Sequence, residues 1–148
     1  MYAGHLIEGF ALAIHKSIRD QAPNDQVFWR EITGWPNFIE TRLRRKVGAL
    51  ARHGAFHLKI GISNEPVRRW REAYRKHGWR QMHVIYSSGS HEHICELERR
   101  MILRFGSGLM RSPCWYYNAV GGGGGPKPHN GPFFVYVVTA PKYARISR

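Results

Sequence analysis

The chain has 148 residues, the usual size of one domain, with 43% hydrophobic and 13% aromatic residues. A chain this long buries about two-thirds of its unfolded surface, so a packed core is expected and a wholly disordered tail is excluded. Lysine and arginine number 23 against 10 acidic residues, a formal net charge of +13, which points to a polyanionic partner, most often nucleic acid.

Cys95 and Cys114 are the only cysteines and give neither a disulfide framework nor a four-ligand zinc pattern. His91 and Cys95 share a helix face, but a credible fourth ligand is missing. No apolar run approaches the ~20 residues needed to span a bilayer. Residues 6–14 are interrupted by Glu8 and follow no basic region, unlike a secretory signal. The expectation is a soluble, intracellular, cytoplasmic protein with no membrane partner.

In chain order, residues 3–19 place Leu6, Ile7, Phe10, Ile14 and Ile18 on one arc, the pattern of an amphipathic helix. Asp25 is placed to cap a short helix through Trp29 and Ile32. After the Gly34-Trp35-Pro36 break, Asn37 can cap a longer helix whose Ile39, Leu43, Val47 and Leu50 share a face, away from Arg42, Arg45 and Arg52. Residues 1–54 thus read as a helical N-terminal extension, and 55–148 as the core.

Residues 55–62 (AFHLKIGI) read as a strand. Pro66 suits a first helical turn and opens a basic helix that Gly78 ends after His77. Residues 81–87 form a second strand, 91–105 a helix, and 106–129 a long loop containing the run Gly121 to Gly125. The aromatic and β-branched residues of 132–139 (PFFVYVVT) make the clearest strand. The predicted class is α+β, a small three-stranded antiparallel sheet flanked by helices.

On the helix from His91, Glu98 falls within the apolar arc of Ile94, Leu97, Met101, Ile102 and Phe105, whereas Glu96 points to the opposite side. A carboxylate on a packing face is costly unless a cation, a metal or hydrogen bonds compensate it. On the helix from Pro66, Val67, Trp70, Ala73 and Tyr74 form the packing face. Arg68, Arg71 and Arg75 point away from it, while Arg69 flanks it. Two readings stand: Arg69 and Glu98 form a structural ion pair, or they belong to a phosphodiesterase site in which the carboxylate holds a metal and the arginine neutralises phosphate.

The segment from Lys59-Ile60-Gly61 through Pro66 to Arg69 resembles the second signature of the GIY-YIG nucleases, with an arginine eight residues after the glycine. Leu97-Glu98 followed by Met101-Ile102 resembles that family's helix with its metal-binding glutamate. Asn118 before Ala119-Val120-Gly121-Gly122 resembles the asparagine that follows. The resemblance spans about residues 55–122. Lys59 stands where the family has its second tyrosine. A first signature strand is missing upstream, since residues 37–53 carry a helical period. Residues 133–138 (FFVYVV) resemble that strand, which suggests a permuted arrangement. Tyr136 would then supply the missing phenol, with Tyr86 as the rival.

The resemblance implies a metal-dependent endonuclease. Glu98 would hold Mg²⁺ or Mn²⁺, Arg69 would stabilise the phosphorane, Asn118 would orient phosphate, and Tyr136 with Lys59 would activate water. Arg42, Arg44, Arg45, Lys46 and Arg52 on one helix suit phosphate contact, as do Arg68, Arg71, Arg75 and Lys76 on another. The expected partner is nucleic acid, DNA before RNA. The alternative is a basic nucleic-acid-binding module without cleavage, whether a GIY-YIG-like fold that has lost activity or an unrelated protein.

Overall fold

The computed structural model describes residues 26–32, 36–52, 56–106, 115–116 and 131–147. The helix expected over 3–19, Cys114, Asn118 and the run Gly121 to Gly125 lie outside them. In chain order the elements are β1 (Val27–Trp29), α1 (Pro36–Arg52), β2 (His57–Ser63), α2 (from Pro66 to His77), β3 (Gln81–Ser88), α3 (His91–Gly106), β4 (Trp115–Tyr116) and β5 (Phe133–Ala140).

The fold is α+β. The strands form one mixed sheet in the order β1-β3-β5-β2-β4. The C-terminal strand β5 lies at its centre, antiparallel to both β2 and β3. All eight of its residues are buried, because a near-continuous apolar run suits a strand covered on both faces. The three antiparallel strands expected from sequence are therefore the middle of a larger sheet. Its edges are parallel additions, β1 beside β3 and β4 beside β2.

β1 corrects the short helix expected from Asp25. Val27, Phe28 and Trp29 are strong strand formers, and a segment this short cannot offset the cost of a helical nucleus. Pairing with β3 satisfies its backbone instead, and Arg30 N–H and Ile32 N–H continue that pairing to the carbonyls of Val84 and Ile85.

Alternation along the strands divides the interior into two cores. On the first face, α1 (Ile39, Leu43, Val47) and α3 (Ile94, Leu97, Met101, Phe105) cover Leu58, Ile60, Ile85, Val135 and Val137. On the second, Trp70 and Tyr74 of α2, with Trp79 and Ala144, pack on Met82, Val84, Phe134, Tyr136 and Val138. The residues of β1 and α1, read from sequence as part of an extension, thus share this sheet and these cores.

Candidate active site

α2 is not a uniform helix. Its α-helical first turn, Pro66–Arg69, widens into a π turn over Trp70–Tyr74 and tightens into a 3₁₀ turn over Arg75–His77. Gly78 then closes it at φ +94°, where a Cβ would strike the Arg145 carbonyl. In an α-helix, residues five apart diverge by about 140° around the axis. The π turn brings them back toward one line, so Arg69 and Tyr74 reach the same place. Sequence periodicity puts Tyr74 on the packing face but gives no sign of the π turn.

Tyr136 rises from β5 on that face, in register with Gly61 of β2. A Cβ at Gly61 would lie 2.5 Å from Tyr136 Cζ, so the glycine of the Lys-Ile-Gly motif makes room for the phenol ring. The Tyr136 and Tyr74 hydroxyls are hydrogen-bonded at 2.8 Å, with the rings edge to face at 5.7 Å. The guanidinium of Arg69 interacts with both hydroxyls. Lys59 faces the same way, with its Nζ 5.6 Å from the centre of the Tyr74 ring, a cation–π distance. Lys59, Arg69 and Tyr136 therefore converge, and Tyr74 joins them.

Tyr136 is 1% exposed and Tyr74 4%, whereas Arg69 is exposed and Lys59 half-buried. Burial pushes the Tyr136 hydroxyl well above the ordinary phenol range, with Tyr74 acting in the same direction and Arg69 opposing it. Burial opposes the charge on Arg69, but the two phenols outweigh it and hold the guanidinium above its usual value. The centre is thus a buried, neutral Tyr136 hydroxyl behind a cation at the surface. Tyr136 is too enclosed and too weakly acidic to serve as the water-activating base expected of it.

The rival phenol belongs to the other core. Tyr86 lies with the first-face residues, its hydroxyl 3.3 Å from His93 Nε2. Glu98 is buried at 7% exposure on α3, the helix that covers this first face, so the sheet separates its helix from the one that carries Arg69. Burial, and after it the neighbouring Glu98, raises the pKa of the Cys95 thiol. One carboxylate with water and phosphate oxygens can hold Mg²⁺, and Glu98 is a donor of that type. It does not share a face with the phenols. Cys95 Sγ lies 3.4 Å from His91 Nε2, but among the described residues no three His, Cys, Asp or Glu side chains are grouped to hold a metal.

The basic residues are also divided. Arg42, Arg45 and Arg52 are exposed on α1, and Arg71, Arg75 and Lys76 on α2, so the two sets flank opposite faces of the sheet. Arg44, Lys46 and Arg68 are engaged within the protein. Arg44 pairs with Glu40, and Lys46 donates to the Arg30 carbonyl. Arg68 pairs with Glu65 at 2.8 Å and Glu72 at 3.3 Å.

Comparison of the chain with family models, with curated proteins and with solved structures finds no match. The described residues contain no helix long and apolar enough to cross a membrane.

Proposed function

We propose that this protein is an endonuclease that hydrolyses phosphodiester bonds in nucleic acid, with DNA as the first substrate to test, and that it resembles the GIY-YIG nucleases with the first signature strand moved to the C-terminus. The supporting observation is the convergence of Arg69, Lys59, Tyr74 and Tyr136 over Gly61. A phosphate seated at the exposed edge of this cluster would meet two cations held by a buried framework. Such preorganised charge is what stabilises a phosphoryl transition state.

In this reading water attacks phosphorus in line, the bond to the leaving oxygen breaks, the attacking water gives up a proton and the leaving oxygen gains one. Arg69 balances the charge that builds on the non-bridging oxygens. Lys59 adds a second positive charge that favours hydroxide over water nearby. Tyr136 and Tyr74 are positioning residues, fixing the guanidinium from behind. A divalent ion, Mg²⁺ or Mn²⁺, would supply further charge at the leaving group; Glu98, the carboxylate expected to hold it, lies on the helix that covers the opposite face, so Glu98→Gln decides whether it does. Asn118 is proposed to orient phosphate.

The position of Glu98 across the sheet favours a second reading, a phosphate-binding module that holds nucleic acid without cutting it. One experiment separates them. Purified protein and Arg69→Ala are incubated with plasmid, single-stranded DNA and RNA in Mg²⁺, Mn²⁺ or EDTA. Metal-dependent cutting lost in Arg69→Ala supports the nuclease. Salt-sensitive binding with intact substrate in every condition supports the module.

A further inference from the structure

A second cluster lies on the first face of the sheet, away from Arg69. Phe28 on β1 and His83 on β3 are directly paired in register, and their rings stack at 5.2 Å with only 18° between planes. Among the described residues β1 pairs only with β3, so this stack stands at a sheet edge. Phe28 is 37% exposed, unusual for a phenylalanine in register with a half-buried partner. Two cations lie beside the rings. Arg30 follows Phe28 by two residues, and Lys46 reaches over from α1 to donate to the Arg30 carbonyl. Both act electrostatically on His83, so both are close to it. Glu31 also acts on Lys46 and offsets part of this charge.

We propose that Phe28 and His83 form a stacking platform for the bases of single-stranded nucleic acid, with Arg30 and Lys46 contacting the adjoining phosphates. An open aromatic face beside flexible cations is the arrangement that binds single strands with little sequence preference, because every base has a π face. A duplex hides those faces within its stack and gains only from the cations. His83 suits the role because burial, Arg30 and Lys46 hold its pKa down to about 4, so the ring stays neutral at physiological pH. Lys46 keeps donors for phosphate, since an ammonium has three and the Arg30 carbonyl uses one.

This inference rests on nucleic acid as the partner but not on cleavage. Its test is the affinity of the full chain, in EDTA, for a labelled oligonucleotide as a single strand and as a duplex. Phe28→Leu keeps the apolar bulk and loses the ring, and Phe28→Tyr keeps the ring. Circular dichroism confirms that each variant is folded. Phe28→Leu is expected to weaken single-strand binding about tenfold, the scale of one lost base stack. Duplex affinity should stay within twofold, and Phe28→Tyr should bind as wild type. Equal losses on both substrates, or no loss on either, overturn the platform while leaving the nuclease reading to the Arg69→Ala assay. Should Phe28→Leu fail to fold, His83→Gln decides, since it removes the other ring of the stack, with a greater loss for the single strand supporting the platform and an equal or absent loss overturning it. Wild type that binds neither oligonucleotide overturns both this inference and the proposed function.

Discussion

The ring of Tyr136 lies against the backbone of Gly61, residues 75 positions apart in the chain and directly paired across β2 and β5. No side chain fits between them. Gly61→Ala is therefore expected to push the phenol out of place and lower stability by about 1–3 kcal/mol, the usual cost of overpacking. Equilibrium urea unfolding measures it. Combining Gly61→Ala with Tyr136→Ala should cost less than the sum of the two, because the smaller side chain removes the clash.

Loss of the Tyr136 hydroxyl tests whether Arg69 is held from behind. Tyr136→Phe leaves the ring in its core and removes the partner of Tyr74 and Arg69. The cleavage rate should fall roughly 100-fold, the scale of a small misplacement of a catalytic group, with DNA affinity nearly unchanged. Single-turnover kinetics beside a binding titration separates the two. Arg71→Ala, on the exposed side of α2, should do the reverse. It should weaken binding and reduce the log–log salt slope by about one, with cutting at saturating protein unaffected.

Glu98 and Glu96 are neighbours on α3 with opposite environments. Glu98 is buried, while Glu96 bonds Arg99 at 2.7 Å and Arg100 at 2.9 Å on the surface. If Glu98 is the metal ligand, Glu98→Gln abolishes cleavage and spares DNA binding, and Glu96→Gln leaves both nearly intact. Unchanged cutting by Glu98→Gln removes Glu98 from the proposal, and EDTA tests the metal itself. The two arginines hold the Glu96 carboxyl down to about 2. A depressed carboxylate stabilises the fold above its unfolded pKa and loses that contribution as pH falls through the folded value. Glu96→Gln should therefore flatten the acid limb of stability between about pH 4.5 and 2.

His83 gives the chain a second pH dependence. Its folded pKa is about 4, below the ordinary value of about 6.5, so between those values the unfolded chain binds a proton that the folded chain does not. Stability should be full above about pH 6.5 and fall as pH drops toward 4, by about 2 kcal/mol after allowance for solvent screening. Urea midpoints from pH 7.5 to 4 measure the loss, and His83→Gln should remove this part of it.

Much of the architecture is legible in the sequence because it rests on local pattern. The alternating apolar residues of β2 and β3, the helical period of α1 and α3, and the dense β-branched run of β5 each reflect burial of one or two faces. The pairing of the last strand with β2 followed from a count of available strands and from its likeness to a missing motif. The Val27–Trp29 strand was not legible, because three residues carry no period and their state is decided by the unpaired edge of β3. The two parallel edge strands are hidden for the same reason.

The candidate site divides along the same line. Helix faces singled out Arg69 and Glu98, and likeness to known nuclease signatures added Lys59 and Tyr136, as candidates for phosphate chemistry. Whether such groups meet depends on the face of the sheet each one occupies, and the chain order does not carry that information. Register placed Tyr136 over Gly61, and a π turn swung Tyr74 under Arg69. Packing of α3 on the first face set Glu98 apart from them. By itself the sequence determined the charge, the local elements and the chemical vocabulary of this protein. The tertiary structure decided which of those groups stand together, because only strand pairing and helix packing bring distant residues onto one side of a sheet.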